Sequence, residues 1–316
     1  MTHLQKLITL GLGAAILALA LLGLWRPDLE RAELAGRYGA PSAQSVVVDG
    51  LTLYYKDSGP KDAPALLFLH GFGSSLQTWD DWSAKLDPQY RVIRLDLPGF
   101  GLTGAHPEQD YSEATDVAIL THFVDKLGLN QFSVIGHSMG GKMAWSLAAS
   151  LPERVKALVL MAPDGFPEAQ DIGSKPYEVP AIMGLIQYFL PKYFVKKSIE
   201  PAFADPHMLN ETLVNRYYDM LRAPGVRGAI LDRSNQTIYT DPVPRLKKIK
   251  APTLLLWGEQ DQMIPSSNAQ SYADVLRHSS IIVVPKLGHL LQEEQPDTGL
   301  SALKQFLETH QAAIKP

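Results

Sequence analysis

Short apolar runs and amphipathic segments alternate along most of the chain. Residues 46–55 read as two strands that turn at Asp49 and Gly50, because Asp-Gly favours a tight hairpin turn. Continuous apolar runs, typical of strands buried on both faces, occupy residues 65–70, 91–96, 132–136, 155–161, 252–257 and 280–284. Helical periodicity occurs in residues 113–127, 139–150, 268–276 and 298–310. Strands that alternate with helices predict an α/β fold with a mostly parallel sheet covered by helices on both faces.

This alternation is interrupted between residues 165 and 250. The stretch has no good candidate for a buried strand, and it contains aromatic-rich helical pieces, such as residues 182–194 and 211–221. About 85 residues is too long for a structureless loop inside a compact domain. We therefore predict a helical cap over residues 165–250, inserted between two parts of an α/β core, residues 46–164 and 251–316.

The first residues have a different character. Residues 7–25 carry no charge, and as a helix they would span about 28 Å, close to the hydrocarbon thickness of a bilayer. Trp25 and Arg26 lie at the far end of the run, as an aromatic residue and a cation at a membrane surface would. We predict that residues 1–26 form a transmembrane anchor, followed by a polar connector over residues 27–45.

The interpretation of this segment has one alternative and two conflicting indications of topology. A cleaved signal peptide is the alternative, although the apolar run is longer than usual for one. The excess of Arg26, Arg31 and Arg37 over Lys6 would keep the main domain in the cytoplasm. The short tail before an export-like segment favours the opposite side. We predict a membrane-anchored protein whose main domain is periplasmic.

Composition and charge exclude several classes of protein. The formal net charge of −4, with no block of Lys and Arg, gives no reason to expect a nucleic-acid partner. The absence of cysteine excludes disulfides, thiolate metal ligands and a cysteine nucleophile. The nine histidines show no spacing typical of a metal site, so we expect neither a metal nor a cofactor. The sequence indicates no particular oligomeric state.

The pentapeptide GHSMG, residues 136–140, joins the strand that ends at Gly136 to the helix that begins at Met139. A G-x-S-x-G sequence between a strand and a helix is typical of a nucleophile elbow, in which a sharp turn exposes the serine hydroxyl. The start of the helix directs backbone N–H groups to the same point. Ser138 is therefore a candidate nucleophile. The alternative is a glycine-rich turn with a capping serine.

A serine hydroxyl needs a general base, and the base needs a carboxylate that orients it. His289 follows a glycine in the loop after the last predicted strand, in the chain order expected of such a base after Ser138. Asp261 lies in the loop after the preceding strand and is the preferred acid. Glu259 is closer to the strand end and is less favoured, and Asp164 is a second possible acid.

Acyl transfer also requires donors for the oxyanion that forms on the carbonyl oxygen. The N–H of Met139, the residue after the candidate nucleophile, is one such donor. The other is expected from the loop HGFG, residues 70–73, where the glycines allow close approach of the backbone. We predict the N–H of Phe72 as this second donor. We expect His70 to brace the loop and not to act as a base.

Five sequence signatures occur in an order that resembles the α/β-hydrolase-fold enzymes, from residue 46 to the C-terminus. They are HGFG (70–73), DLPGFG (96–101), GHSMG (136–140), GEQDQMIP (258–265) and GH (288–289) with Glu294 and Pro296. The resemblance implies an eight-stranded-type, mostly parallel sheet with a catalytic triad of Ser138, Asp261 and His289, and a structural role for the Asp96 loop. Serine at position 138 differs from the aspartate of haloalkane dehalogenases and epoxide hydrolases of this fold.

These residues predict a serine hydrolase of carboxylic esters, similar to lipases or carboxylesterases. Ser138 would form an acyl-enzyme with a small-molecule ester, and water activated by His289 would release the acid. A membrane anchor beside an apolar cap favours a lipid-like ester. The apolar cap residues are either the wall of an acyl pocket or, more commonly at helical spacing, the cap core: Ile182, Met183, Leu185, Ile186, Tyr188, Phe189 and Leu190.

Two other functions remain open at the level of the sequence. A C–C bond hydrolase of the meta-cleavage type resembles this chain in triad, cap and length, and would differ in the polarity of its pocket. A non-catalytic ligand-binding protein on the same fold is the third hypothesis. That class usually lacks a member of the triad, and all three candidate residues are present here.

Overall fold

An eight-stranded sheet organises the part of the chain that the structure describes. The structure is a computed structural model that describes residues 10, 23–39, 43–167, 169–173, 175–176 and 178–310. The strands are β1 (Ala43–Val48), β2 (Leu51–Ser58), β3 (Ala65–Leu69), β4 (Arg91–Leu95), β5 (Phe132–His137), β6 (Val155–Met161), β7 (Thr253–Gly258) and β8 (Ser279–Val284).

The strands lie in the order β1-β2-β4-β3-β5-β6-β7-β8. β1 pairs with β2, and β2 with β4, in antiparallel fashion, and every other pair is parallel. The predicted hairpin is present, with Asp49 and Gly50 at positive φ in the turn between β1 and β2. The carboxyl ends of the parallel strands meet at one edge, where ligands bind in open α/β sheets.

Helices connect the strands and cover both faces of the sheet. The α-helices are α1 (Arg31–Tyr38), α2 (Asp80–Leu86), α3 (Glu113–Lys126), α4 (Met139–Ser150), α5 (Lys192–Ile199), α6 (Glu211–Leu221), α7 (Val226–Gln236), α8 (Val243–Leu246), α9 (Asn268–Ala273), α10 (Leu291–Glu294) and α11 (Pro296–Thr309). Short 3₁₀ helices span Leu76–Trp79, Ala169–Asp171, Ala181–Gln187, Glu200–Ala202 and Pro206–Met208.

Alternate residues of β3 show why the predicted strands read as continuous apolar runs. Leu67 and Leu69 pack into one hydrophobic cluster with residues of α3 and α4. Leu66 and Phe68 pack into a second cluster with residues of α2 and α11. Successive side chains of a strand point to opposite faces, so a sheet covered on both sides needs apolar residues at every position. The predicted α/β architecture is confirmed.

Most predicted bounds agree with the structure to within a few residues. α4 has the predicted bounds, and α3 ends one residue earlier than predicted. α9 ends at Ala273 and not at residue 276, whereas α11 begins at Pro296, two residues earlier than predicted. Proline is favoured in the first turn of a helix, where its missing N–H would have no helical partner.

The chain between β6 and β7 contains the region predicted as a cap. α6 has the predicted bounds, but the piece predicted over residues 182–194 divides into the 3₁₀ helix Ala181–Gln187 and α5. Pro191 lies between them, and a proline lacks the N–H that a continuous helix requires. Side chains of α5 and α6 form a separate hydrophobic cluster that also includes Leu290. The boundaries of core and cap stay a prediction.

The predicted membrane anchor, residues 7–25, lies largely outside the described residues. Within the described ranges, no helix has the length and apolar character needed to cross a membrane. The prediction of a transmembrane anchor, on which the membrane-anchored localisation depends, is therefore not supported and is corrected to a chain with no membrane-spanning helix in its described residues.

The end of this segment and the predicted connector bind to the rest of the protein. The ring of Trp25 stacks on Tyr188 with a centroid distance of 5.5 Å, and the N–H of Arg26 donates to the Tyr188 carbonyl at 2.8 Å. Arg227 donates to the carbonyl of Arg26 and forms an ion pair with Asp28. Residues expected at a bilayer surface thus contact the chain between β6 and β7.

Candidate active site

Ser138 occupies a strained turn between β5 and α4. It has φ 54° and ψ −121°, a conformation that residues with a Cβ rarely adopt. Its N–H donates to the carbonyl of Met161 at 2.9 Å, and its carbonyl accepts from the N–H groups of Lys142 and Asp164. These bonds to β6 and to the first turn of α4 hold the strained residue in place, as a nucleophile elbow requires.

Two glycines allow this turn to lie between its neighbours. A Cβ on Gly136 would lie 2.3 Å from the carbonyl oxygen of Gly140 and 2.7 Å from the Cβ of Ala144. A Cβ on Gly140 would lie 2.4 Å from the carbonyl oxygens of Leu69 and His70. Real Cβ atoms do not approach other atoms so closely. Both positions of GHSMG therefore require glycine, because β3, β5 and α4 pack too closely there for a side chain.

His289 and Asp261 form a buried hydrogen-bonded pair. The Nδ1 of His289 lies 2.7 Å from Oδ2 of Asp261. Because a carboxylate only accepts, Nδ1 carries the proton and Nε2 is left as an acceptor. The other oxygen of Asp261 accepts from the N–H groups of Met263 and Ile264, at 2.8 and 2.9 Å. The carboxylate therefore fixes the tautomer and the orientation of the imidazole.

The two alternative acids make other contacts. Glu259 accepts from the N–H of Lys286 and is exposed. Asp164 contributes its N–H to Ser138 and its carbonyl to Trp145 and Tyr272. The structure thus brings His289 together with Asp261, the acid that sequence reasoning preferred.

His137 is a neighbour of the site that sequence reasoning missed. Its ring lies 4.5 Å from that of His289, and its Nε2 lies 3.0 Å from the His289 carbonyl oxygen, so the ring N–H donates there. Burial lowers the pKa of His137 well below its ordinary value, and the nearby imidazole of His289 adds to this effect. A neutral His137 therefore supports the backbone of His289. Its position directly before Ser138 was the available signal.

His70 holds the loop that carries Phe72, the predicted second oxyanion donor, by hydrogen bonds from both of its ring nitrogens. The Nδ1 of His70 donates to the carbonyl of Gly71 at 2.8 Å, and its Nε2 accepts from the N–H of Leu97 at 3.0 Å. Burial lowers the pKa of His70 to about 4, so the ring is neutral near pH 7. With both nitrogens bonded, His70 is not available as a base.

Asp96 holds the other end of this loop. Its two carboxylate oxygens accept from the N–H groups of Leu76 and Leu102, at 2.7 and 2.8 Å. The side chain is fully buried, and this burial raises its pKa to about 7. Asp96 thereby joins the segment after Phe72 to the loop after β4.

Two cavities of about 500 Å³ each meet at Ser138. Both are also bordered by Phe72, Met263 and His289. The first, the apolar cavity, is lined mainly by aliphatic and aromatic side chains: Met183, Ile186, Leu190, Phe194, Val195, Ile199, Leu221, Ile230 and Leu290. The second, called the polar cavity because charged and hydroxyl-bearing side chains border it, is lined by Tyr111, Glu113, Asp116, Met139, Lys142, Asp164, Arg233, Gln236, Thr237, Tyr239 and Thr240, together with the apolar side chains of Met143, Ile238 and Ile264.

The apolar residues proposed as acyl pocket or cap core divide between two environments. Met183, Ile186 and Leu190 line the apolar cavity. Ile182 and Leu185 are exposed, and no residue of Ala181–Gln187 is buried. The expectation that these residues more commonly form a cap core is therefore wrong for this 3₁₀ helix.

The site can support nucleophilic chemistry. A hydroxyl on a strained turn and a buried histidine with a fixed tautomer border the same two cavities. Phe72, a predicted oxyanion donor, borders both cavities, and Met139, the other, borders the polar cavity. In the ranges that the structure describes, no group of three or more His, Asp or Glu residues could hold a metal ion.

Comparison with known proteins agrees with this fold. The sequence profile of the alpha/beta hydrolase fold matches residues 64–296. The dihydrolipoyllysine-residue acetyltransferase component of the acetoin cleaving system of Cupriavidus necator is 31% identical, over 87% of this chain and 72% of its own length. The 2-hydroxy-6-oxo-6-phenylhexa-2,4-dienoate hydrolase of Burkholderia cepacia is 27% identical, over 78% of this chain and 87% of its own length.

Among solved structures, a bacterial membrane phospholipase A superposes with a TM-score of 0.71 and 27% identity. The match covers 98% of this chain and 98% of the phospholipase chain. The relatives therefore share the sheet, and they differ in the reactions that their names describe. The profile match over residues 64–296 and the sheet topology together show that the chain belongs to the alpha/beta hydrolase fold family.

Proposed function

We propose that this protein is a serine hydrolase that cleaves carboxylic esters with an apolar acyl chain. The observation that carries the proposal is the buried hydrogen bond of 2.7 Å between His289 and Asp261, at the same two cavities as the strained Ser138. A hydroxyl, an imidazole and a carboxylate in this chain order form the machinery of acyl transfer.

In the first half of the proposed reaction, the hydroxyl oxygen of Ser138 attacks the ester carbonyl while Nε2 of His289 takes its proton. The N–H groups of Phe72 and Met139 donate to the oxyanion of the tetrahedral intermediate. Asp261 stabilises the imidazolium, which then protonates the leaving alcohol. The acyl group remains bound to Ser138 as an ester.

In the second half, water replaces the alcohol. His289 takes a proton from the water as it attacks the acyl-enzyme, and the proton then passes to the Ser138 oxygen as the acid leaves. One ester and one water thus give one acid and one alcohol, and the enzyme is regenerated.

The apolar cavity supports an apolar acyl chain. Its walls are mainly aliphatic and aromatic, and a cavity of this volume buries the greater part of a medium-length chain. Each buried methylene contributes about 0.8 kcal/mol. The similarity to a bacterial membrane phospholipase A, at 27% identity over nearly the full chain, favours a lipid-like ester.

A C–C bond hydrolase is the second candidate. It is favoured by the similarity to the dienoate hydrolase of Burkholderia cepacia and by the polar cavity beside Ser138. The two candidates share a triad and differ in the bond that they cleave.

The test combines active-site labelling with a panel of p-nitrophenyl esters from acetate to palmitate and a vinylogous diketone. We expect a fluorophosphonate probe to label the wild-type protein and not Ser138→Ala. We expect kcat/KM to rise with acyl length beyond four carbons. Absence of labelling would support a non-catalytic protein. Equal or greater turnover of short esters would exclude the apolar-chain preference, and turnover of the diketone alone would favour the C–C hydrolase.

A further inference from the structure

Lys142 lies close to Ser138 but has no part in the proposed triad. It is on the first turn of α4, and its N–H donates to the Ser138 carbonyl at 3.1 Å. Its side chain is largely buried and borders the polar cavity. Residues four apart share one face of a helix. A cation therefore stands one helical turn from the candidate nucleophile, on the wall of a cavity that reaches it.

The carboxylate nearest to Lys142 already has closer partners. The Nζ of Lys142 is 3.7 Å from Oε2 of Glu113, beyond hydrogen-bonding distance. The other oxygen of Glu113 accepts from Arg245 and, at 2.7 Å, from the hydroxyl of Ser146. Among the residues that the structure describes, Lys142 thus has only a loose electrostatic partner.

The next carboxylate along this wall is also occupied. Both oxygens of Asp116 bind the guanidinium of Arg233, at 2.6 and 3.0 Å. Of the three cations beside Glu113 and Asp116, Arg233 and Arg245 therefore bind these carboxylates directly, and Lys142 is left without a hydrogen-bonded carboxylate among the described residues. Lys142 borders the polar cavity.

Asp164 is a further acidic residue on this cavity, which is thus bordered by the carboxylates of Glu113, Asp116 and Asp164 and by the cations Lys142 and Arg233. Asp164 follows β6, and its carbonyl accepts from the hydroxyl of Tyr272 at 2.9 Å. Its negative charge contributes to the raised pKa of Tyr239 and Tyr272, although burial is the larger cause in both. An anion in the polar cavity is therefore attracted by Lys142 and repelled by Asp164, so that Lys142 is the group beside which it can bind.

The apolar cavity offers no comparable cation. Arg227 borders it, but its guanidinium donates to the carbonyls of Arg26 and Ile186 and pairs with Asp28 at 2.5 Å. The two cavities thus differ in the chemistry that each can accept: a hydrocarbon chain in one, and a charged group beside Lys142 in the other.

We propose that Lys142 binds an anionic group on the alcohol portion of the substrate. The preferred ester then has an apolar acyl chain in the apolar cavity and an alcohol with a carboxylate or phosphate in the polar cavity. This inference rests on the proposed ester hydrolysis at Ser138, and it assigns the substrate class of that reaction.

Three esters of similar size test the proposal: the octanoyl ester of glycolate, the octanoyl ester of glycolamide, and octyl hydrogen succinate. The first has the charge on the alcohol, the second is its neutral analogue, and the third has the charge on the acyl side. Wild type, Lys142→Met and Lys142→Arg are compared by kcat/KM from released octanoate or octanol. Lys156→Met, on β6, is the matched control.

We expect wild type to favour the glycolate ester over the glycolamide ester by roughly tenfold, the value of one charge-assisted hydrogen bond. This ratio should fall to about one in Lys142→Met, recover in part in Lys142→Arg and stay unchanged in Lys156→Met. Equal ratios in wild type and Lys142→Met would overturn the inference, as would a Lys142-dependent preference for octyl hydrogen succinate alone. If none of the esters is cleaved, the proposed function itself fails.

Discussion

Arg233 of α7 binds both carboxylate oxygens of Asp116 of α3 in a buried, bidentate ion pair. The same guanidinium donates to the carbonyl of Pro98 and lies over the ring of Tyr111 at 4.9 Å. The pair joins the chain between β6 and β7 to the core helix α3, at the wall of the polar cavity. It therefore fixes the position of that wall relative to Ser138.

Removal of either partner should destabilise the protein strongly. An unpaired charge left in a buried position costs about 3–5 kcal/mol, so we expect that loss of unfolding free energy for Arg233→Met and for Asp116→Ala. The double variant should lose less than the sum of the two, because neither charge is then left alone. Urea unfolding followed by circular dichroism measures all three values.

The surface pair of Lys250 and Glu153 provides the control. Both side chains are well exposed, so Glu153→Ala should leave the unfolding free energy nearly unchanged. Equal effects at the buried and exposed pairs would contradict the structural importance of the Arg233–Asp116 contact.

Features of the fold and the site could be predicted from the sequence where they depend on residues that are close together in the chain. Strands buried on both faces read directly as apolar runs, as β3 illustrates with Leu66 to Leu69, and the glycines of GHSMG mark the turn at Ser138. These signals are local. The pairing of His289 with Asp261 could be predicted because both follow neighbouring parallel strands, whose carboxyl ends lie side by side.

Other features depend on contacts that no local pattern encodes. Asp116 and Arg233 are 117 positions apart, and each alone resembles a surface charge. The run from Ile182 to Leu190 has the apolar content of a core helix, yet it forms a largely exposed 3₁₀ helix and a turn beside a cavity. Trp25 has the position of a membrane-surface residue and instead stacks on Tyr188. Tertiary packing decided each of these cases.

Replacement of Asp261 by asparagine should reduce catalysis much more than it reduces stability. The amide has nearly the same shape, but it can present an N–H to His289 and favour the wrong tautomer. We expect kcat for a p-nitrophenyl ester to fall by about 10³–10⁴-fold. Glu259→Gln and Asp164→Asn are the controls, because neither side chain is bonded to His289. A comparable loss in Asp164→Asn would assign the acid to that residue.

Gly136→Ala should prevent the formation of the turn at Ser138. The added Cβ would lie 2.3 Å from the backbone oxygen of Gly140, and backbone at the start of α4 cannot yield as a flexible side chain would. We expect a loss of at least 2 kcal/mol, roughly the scale of overpacking in a core, together with loss of probe labelling.

The control for this glycine is Gly184→Ala in the 3₁₀ helix Ala181–Gln187. A Cβ at Gly184 would meet no atom within 4 Å, so the change in stability should stay within about 0.5 kcal/mol. Normal stability and labelling of Gly136→Ala would show that the turn has more room than the structure indicates.

The buried His70 should make stability depend on pH below neutrality. Its pKa is about 4 in the folded protein, against an ordinary 6.5, because burial disfavours the charged ring. A buried histidine whose pKa is lowered stabilises the folded protein fully above pH 6.5. This stabilisation is lost as pH falls towards 4, because the unfolded chain binds the proton first. Between pH 7 and pH 5 this loss is about 2 kcal/mol.

Asp96 acts in the opposite direction, because burial raises its pKa to about 7 and the folded state then binds its proton before the unfolded state does. The measurement is therefore the difference in unfolding free energy between wild type and His70→Gln. This difference should be smaller at pH 5 than at pH 7 by about 2 kcal/mol, since Asp96 is common to both proteins. His278→Gln, at an exposed position, is the matched control and must keep the wild-type profile. A difference that stays constant between the two pH values would mean that His70 is protonated as readily in the folded protein as in the unfolded chain.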